Sequence, residues 1–398
     1  MSRFSPRSDF SRTPNALAEA LTRRRASQLP LLDLTDSNPT RVGLPSPDVG
    51  LLRTPGAMGY APEPAGLSSA REALAAHLSR RGGALLPEHL VLSASTSEAY
   101  GWLFKLLCEP GDDVLVPAPC YPLFEHLARL EGVQTRPYRL PLAHGFGLDV
   151  AEVEATLGPR TRAVLVVNPG NPTGHFLHEG ELAALADVCA RREVALVVDE
   201  VFSDFPWDVE EGRVDTVAGR ALPALTFTLS GLSKVVGLPG LKLGWTHVGG
   251  PAAARDEALA RLEWVADAYL SVGTPVQLAL PSLLAHAADF QAAAVARVRE
   301  NRKRLSAARP AGACWDVVPA HGGWSTVLRI PREPGEEATC LALLDAGVLV
   351  QPGYFYDFTG GAFLVLSLLT PPGDFAAALA PLTRVLGAAG EGGPGPSV

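Results

Sequence analysis

Three polar side chains follow three neighbouring apolar segments of this chain, and their types are ones that carry chemistry. Asn168 ends the run AVLVVN and leads into PGNPTG, Asp199 ends VALVVD, and ALTFTL ends just before Ser230 and Lys234. Because ligands of an open parallel sheet bind at the carboxyl ends of its strands, we expect an amide, a carboxylate and an amine to meet at one edge. The order of these residues therefore predicts a single site.

The chemistry that fits this set is that of a pyridine aldehyde attached to the lysine. Lys234 lies in a turn of small residues, and a desolvated lysine forms a Schiff base with an aldehyde. A buried carboxylate such as Asp199 keeps a pyridine nitrogen protonated, which makes the ring an electron sink. Asn171 is suited to hydrogen-bond a phenolic oxygen on that ring. The set predicts pyridoxal 5′-phosphate (PLP) as the cofactor.

The elements that must position these residues alternate between strand and helix up to about residue 250. The strand candidates are LVLSA, DVLVP, AVLVVN, VALVVD and ALTFTL, and the helical patterns between them include SEAYGWLFKLLC, LFEHLARLEG and GELAALADVCARR. Continuous apolar strands indicate burial on both faces, hence a mainly parallel sheet with helices on each side. A long helical stretch from about 252 to 308 and a small α+β part follow. The predicted fold class is α/β with a smaller α+β domain.

Size and composition narrow the classes of protein that this chain can be. With 398 residues, 47% of them hydrophobic and 19% charged, it is long enough for two domains and too apolar for extensive disorder. A net charge of −8 argues against nucleic-acid binding, and no apolar run predicts a membrane span. The five cysteines form no CxxC pair, which fits reduced thiols and no metal site. The N-terminus lacks the apolar core of a secretory signal, and a transit peptide is the alternative, which the early acid of DF argues against. With reduced thiols we expect a cytoplasmic protein.

A series of segments, in chain order, resembles the motifs of one enzyme family. They are SNPT, GYAPEPAGLSSAREALAAHL, SASTSEAY, PAPCYPLF, NPGNPTG, VVDEVF, SGLSK with GLKLGW, and PGYFYDF. On these motifs the chain resembles, over nearly its whole length, a fold-type-I PLP enzyme of the class I/II aminotransferase family. The resemblance implies a seven-stranded-type sheet in the large domain and a homodimer.

The resemblance also implies two catalytic residues. Lys234 would hold the cofactor as an internal aldimine and, once displaced by substrate, would carry a proton between the substrate Cα and the cofactor. Asp199 would pair with the pyridinium nitrogen. The alternatives are a surface lysine and an aspartate that caps a helix after a strand.

Further cofactor contacts are implied by the same motifs. Asn171 would bond the phenolic oxygen, and Tyr121 would stack on the ring unless it is an ordinary core aromatic. The phosphate would bind where a helix begins, although the same hydroxyls also suit a simple helix cap. The implied phosphate contacts are Ser95, Thr96, Ser97, Ser230, Lys242 and, from the neighbouring subunit, Tyr60.

The chain departs from the family pattern at three places. Phe202 stands where a tyrosine usually donates to the phenolic oxygen. Lys242 replaces an arginine that grips phosphate in two-point geometry, and Gly231 replaces a serine, with Ser230 shifted by one position. Val365 stands in FLVLSLL where most relatives have an arginine that clamps the substrate α-carboxylate.

Substrate contacts are therefore left open by the motifs. Arg41, in SNPTR, follows a segment that approaches the active site in relatives, so it is a candidate clamp, with a surface arginine as the alternative. Asn38, Tyr354 and Tyr356 are further candidates on the substrate side. If Arg41 is the clamp, Arg41→Ala raises the KM for the amino acid and leaves cofactor binding intact. No second arginine is evident for a side-chain carboxylate, so we expect weak activity with aspartate and glutamate.

The predicted function is transfer of an amino group between an amino acid and a 2-oxo acid. A lyase, cyclase or decarboxylase with the same cofactor is the alternative, and a non-catalytic cofactor-binding protein is a third reading. GLPGLKLG follows the lysine instead of opening a helix, so it is a poor dinucleotide motif. The predicted domains are an arm with part of the small domain (1–48), the large PLP-binding domain (49–285), the small domain (286–388) and a flexible tail (389–398).

Overall fold

The structure is a computed structural model that describes residues 5–10, 13–53, 56 and 59–388. Its α-helices, numbered α1 to α12, are Ala16–Ala26, Ser68–Leu78, Thr96–Leu107, Leu123–Glu131, Val150–Thr156, Glu179–Arg191, Leu232–Val235, Ala252–Asp267, Thr274–Ala285, Ala287–Ala308, Glu336–Asp345 and Pro372–Ala388. Its strands, numbered β1 to β13, are Leu32–Asp33, Leu90–Ser93, Asp113–Ala118, Gln134–Arg139, Thr161–Val167, Ala195–Asp199, Thr226–Gly231, Gly244–Gly249, Asp316–Val317, Ser325–Ile330, Val348–Leu349, Gln351–Pro352 and Ala362–Ser367. Short 3-10 helices lie at Pro6–Ser8, Val49–Leu52, Pro87–His89, Leu142–His144, Pro239–Leu241 and Gly353–Tyr356.

A seven-stranded sheet in the order β2-β8-β7-β6-β5-β3-β4 forms the centre of the larger part. All neighbours pair in parallel except β8, which is antiparallel to both β2 and β7. Along β5, Val164 and Leu165 alternate between two apolar clusters, one on each face of the sheet. Both faces are therefore buried, as the continuous apolar strands predicted, and the predicted α/β fold class is confirmed.

The strand β8 and the edge strand β4 were not predicted. Trp245 and His247 of β8 are both buried, and GWTHVG lacks the apolar run that identified its neighbours. Its position depends on a close approach to β7: a Cβ added to Gly231 would lie 3.1 Å from the Cα of Gly244. Residue pairing of this kind is set by the tertiary structure, so the local sequence signal is weak.

The helical stretch predicted from 252 to 308 is divided into α8, α9 and α10. The chain leaves helical geometry between α8 and α9, where Leu270 has a φ of 45°, and Pro275 lies in the first turn of α9. Proline is well tolerated there because the first N–H groups of a helix have no intrahelical acceptor. Among the described residues, no single helix is long and apolar enough to cross a membrane; α9 and α10 meet that criterion only as a pair bent by 61°.

The smaller part contains an antiparallel sheet in the order β12-β13-β10-β9 and the parallel pair β1–β11. Leu17 and Leu34, from the N-terminal arm, lie in the same apolar cluster as Leu364 and Leu382. This contact brings the arm to the C-terminal part. The predicted domain division, with boundaries at 48 and 285, remains a prediction, and the predicted tail 389–398 lies outside the described residues.

Candidate active site

A cavity of about 440 Å³ lies at the carboxyl ends of the central strands, with the small sheet on its other side. Of the residues predicted to bind cofactor or substrate, those that line it are Ser95, Thr96, Ser97, Tyr121, Asn171, Asp199, Phe202, Lys234 and Lys242. Those absent from the lining are Tyr60, Ser230, Asn38, Arg41 and Tyr354. Tyr356, a further candidate on the substrate side, also lines the cavity. The structure thus gathers the proposed ring contacts and most of the proposed phosphate contacts at one place, and it leaves Tyr60, Ser230 and the remaining proposed substrate contacts outside.

Asp199, at the end of β6, is buried and held by two hydrogen bonds. Its Oδ1 accepts from the Val201 backbone N–H at 3.0 Å, and its Oδ2 accepts from the Tyr100 hydroxyl at 3.0 Å. Burial raises the pKa of Asp199 to about 6, because desolvation disfavours the carboxylate, while both hydrogen bonds and the charge of Lys234 act in the opposite direction. The carboxylate is fixed in position and ready to pair with a cation.

Lys234 lies on the one-turn helix α7, directly after β7. It is therefore at the carboxyl edge of the sheet, where it lines the cavity. Its Nζ is 5.3 Å from the ring centroid of Phe202 and 4.9 Å from that of Trp324. Among the described residues it has no hydrogen-bond or ion-pair partner. Burial lowers its pKa to about 8, partly offset by the charge of Asp199. A lysine amine in these surroundings is suited to act as a nucleophile near neutral pH.

The start of α3 provides an anion site. The Ser95 hydroxyl caps the helix by accepting from the Glu98 N–H at 3.1 Å. No acceptor among the described residues takes the N–H groups of Thr96 and Ser97. Gly244 of β8 lies against this turn, since a Cβ there would be 3.0 Å from the Ser95 carbonyl carbon and 3.1 Å from the Thr96 nitrogen. Free N–H groups at a helix N-terminus bind phosphate.

The amide at this sheet edge belongs to Asn171. The Asn168 side chain is buried and bonded to backbone: its Nδ2 donates to the Val214 carbonyl at 3.0 Å, and its Oδ1 accepts from the Leu177 N–H at 2.9 Å. Asn168 therefore shapes the PGNPTG turn, and the expectation that its own amide enters the site is wrong. Asn171, three residues later, lines the cavity instead.

The predicted residues outside the cavity have other surroundings. The Ser230 hydroxyl donates to the Glu200 carbonyl at 3.4 Å. The Tyr354 side chain is half-exposed, and its backbone N–H donates to the Glu336 carboxylate. Arg41 is exposed and pairs with Asp36 at 3.3 Å. Asn38 uses its side chain to accept hydrogen bonds from Thr40, and Tyr60 is exposed beside Trp102 and Leu270. Their functional roles stay predictions.

Several lining residues were not identified from the sequence. Tyr100 follows Thr96 by four positions on one helix, a spacing that places both on one face and that offered a usable signal. Ser37 and Ser233 lie inside the motifs SNPT and SGLSK, each next to a residue that was identified. Thr35, Ser325 and Gln351 come from other parts of the chain, and nothing local marks them.

A family model for aminotransferase class I and II matches residues 35–370. The chain belongs to this family. It is 30% identical over 259 residues to glutamate-pyruvate aminotransferase AlaA of Escherichia coli (strain K12), an alignment that spans 64% of this chain and 63% of that protein. It is 30% identical over 345 residues to aspartate/prephenate aminotransferase of Thermus thermophilus, covering 83% of this chain and 84% of that protein.

A solved structure of an aspartate aminotransferase single mutant from Thermus thermophilus superimposes with a TM-score of 0.84 at 26% identity, covering 97% of this chain and all of that one. The family resemblance read from the motifs is thereby confirmed. Membership of the family implies PLP as cofactor, and the donor set fits it. Asp199 offers a buried carboxylate, Lys234 an amine of lowered pKa and the start of α3 free N–H groups.

Proposed function

We propose that this protein is a PLP-dependent aminotransferase that moves an amino group between an amino acid and a 2-oxo acid. The observation that carries the proposal is the shared cavity of Lys234, whose Nζ has no partner among the described residues, and Asp199, which is anchored by two hydrogen bonds. Family membership and the named aminotransferase relatives support the same reaction.

Bound PLP supplies an electron sink for the carbon that carries the amino group. Asp199 would hold the proton on the ring nitrogen, and Asn171 would donate to the phenolic oxygen. Because Phe202 has no donor, Asn171 makes this contact without the help of a tyrosine. Tyr121 would stack on the ring. Lys234 would hold the cofactor and would carry the proton to and from the substrate Cα, because it is an amine of lowered pKa that lines the same cavity as Asp199.

The phosphate would be held by the N–H groups of Thr96 and Ser97, by the Ser95 hydroxyl and by the charge of Lys242. In the family arrangement a serine and a tyrosine of the second subunit complete the cup. The Ser230 hydroxyl lies outside the cavity here, and we also propose a homodimer in which Tyr60 reaches the partner's site. All five cysteines are unpaired, which supports a reducing compartment and, with it, a cytoplasmic location. Weak activity with aspartate and glutamate remains a prediction.

Borohydride reduction of the PLP-loaded enzyme, followed by digestion and peptide mapping, tests the proposal. The expected tagged peptide contains Lys234, and Lys234→Ala yields none. A tag on another lysine, or no tag on the wild type, would refute the proposal.

The reaction outcome is tested with an amino acid alone and then with a 2-oxo acid added. A transaminase stops after one equivalent of oxo acid per site and resumes when the acceptor is supplied. Continuous turnover without an acceptor would instead indicate the lyase, cyclase or decarboxylase alternative.

A further inference from the structure

No arginine is found among the described residues that line the cavity. The acidic and basic side chains among the described lining residues are Asp199, Lys234 and Lys242. The proposed function assigns all three to the cofactor. The lining contributed by the arm and the small sheet is uncharged and polar. It consists of Thr35, Ser37, Ser325, Gln351 and Tyr356.

The valine at position 365 is one reason that this part of the cavity lining is uncharged. Val365 is 2% exposed and packs in an apolar cluster with Val327 and Phe363, and its own side chain offers no hydrogen-bonding group. Gln351 is its direct cross-strand partner in the β12–β13 pair. Directly opposed residues of an antiparallel pair lie on the same sheet face, so the glutamine amide stands beside the position where a carboxylate-binding arginine is usual.

A hydrogen bond orients the glutamine amide. The Tyr356 hydroxyl donates to Gln351 Oε1, and no acceptor among the described residues takes the hydrogens of Gln351 Nε2. Burial raises the pKa of Tyr356 to about 12, so its phenol remains a neutral donor at physiological pH. Gln351 lines the cavity, and its two N–H donors are free to bind a ligand there.

We propose that Gln351, positioned by Tyr356, binds the α-carboxylate of the amino acid and of the 2-oxo acid through its neutral N–H donors. This inference rests on the proposed aminotransferase function and names the specificity-determining residue of its site. A hydrogen bond from a neutral donor to a carboxylate lacks the charge and the two-point geometry of an arginine clamp. The site therefore discriminates only weakly between a carboxylate and an uncharged carboxamide, so amino-acid amides belong to its substrate class.

The experiment compares the dissociation constants of 2-methylalanine and 2-methylalaninamide for the PLP-loaded enzyme by calorimetry. These probes have no hydrogen on Cα, so binding is measured without amino-group transfer. The expected ratio for the wild type is below about tenfold, in keeping with one neutral hydrogen bond. Gln351→Ala is expected to weaken 2-methylalanine binding about tenfold with an unchanged cofactor spectrum, and Gln351→Arg to raise the preference for the acid over the amide.

Tyr356→Phe keeps the ring and removes the orienting hydroxyl, so it is expected to weaken 2-methylalanine binding less than Gln351→Ala does. Gln134→Ala, at an exposed glutamine of β4, is the matched control and should bind both probes as the wild type does. The inference is overturned if Gln351→Ala binds 2-methylalanine normally, or if Arg41→Ala abolishes a strong acid preference. Failure of the proposed function is distinguishable, because borohydride would then leave no cofactor on Lys234.

Discussion

Lys234 and Asp199 show how burial prepares two opposite charges for one cofactor. Desolvation lowers the pKa of the lysine and raises that of the aspartate, so each group is shifted toward its neutral form. Their mutual attraction opposes both shifts. A bound pyridinium would give Asp199 a cation of its own, and attachment of the aldehyde would use the neutral form of Lys234. The binding of PLP thus relieves an electrostatic cost that the folded chain carries.

The lowered pKa of Lys234 predicts the pH dependence of cofactor capture. With a pKa of about 8 in place of 10.5, the amine is roughly one-tenth neutral at pH 7, against less than about one part in a thousand for an ordinary lysine. Stopped-flow absorbance of PLP binding to the cofactor-free enzyme should show a rate that rises with pH through 7 and levels off above about 8. A rate that keeps rising beyond pH 9 would contradict this.

Tyr100 is expected to tune the acid at the base of the site. Tyr100→Phe removes one hydrogen bond to the Asp199 carboxylate. The pKa of Asp199 should therefore rise, because that bond favours the charged form. A bond to a charged group is worth about 1.5–3 kcal/mol, or roughly one to two pH units. PLP affinity should fall on the acidic side as Asp199 takes up a proton. In Tyr100→Phe this fall should occur at a pH higher by about one to two units.

Tyr138→Phe is the matched control for this change. Tyr138 is also buried, but its hydroxyl donates to the Leu165 carbonyl at 2.8 Å, so its loss should reduce stability and leave the pH at which PLP affinity falls unchanged. Equal profiles for the two variants would show that Tyr100 acts on the fold alone.

At the scale of elements, the phosphate end depends on the approach of β8 to the first turn of α3. Gly244→Ala would place a methyl group 3.0 Å from the Ser95 carbonyl carbon and 3.1 Å from the Thr96 nitrogen, so that turn must shift by tenths of an ångström. We expect about a tenfold loss of PLP affinity, with little change in the melting temperature, measured by absorbance titration and thermal unfolding.

Gly240→Ala is the control for the β8 loop, because a Cβ at Gly240 meets nothing within 4 Å. Its PLP affinity should equal that of the wild type. If both alanine variants bind PLP normally, the close contact at Gly244 does not shape the cup.

The sequence allowed prediction of those elements whose signal is local. The runs that became β2, β3, β5, β6 and β7, and the motifs around Lys234, Asp199 and Asn171, are contiguous, so order and spacing sufficed. The position of β8 and the role of Asn168 depend on partners far away in the chain. The same holds for Gln351, whose relation to Val365 exists only in the β12–β13 register. Such pairings are properties of the sheet and leave no periodic trace in either segment.

At the scale of the whole molecule, Tyr60 gives a test of the proposed dimer. It is 80% exposed and lies outside the cavity of its own chain, as expected for a residue that acts in the neighbouring subunit. Tyr60→Ala should weaken PLP binding about tenfold or more through loss of a bond to phosphate, and Lys234→Ala removes the covalent link.

Subunits of the two variants, mixed and reassembled, should recover intact sites. In a hybrid dimer one site combines Lys234 of one chain with Tyr60 of the other, so random exchange restores about a quarter of the sites. Activity of the mixture is compared with each variant alone. No recovery despite exchange, checked by mass spectrometry of intact dimers, would place Tyr60 in its own subunit or outside the site.

The ring of Trp324, 4.9 Å from Lys234 Nζ, gives the protein a built-in optical reporter. An indole that is excited this close to a conjugated chromophore transfers its energy to that chromophore before the indole can emit. Attachment of the cofactor should therefore dim the intrinsic fluorescence, and Trp324→Phe should remove that part of the change. Occupancy could then be followed in real time without any label.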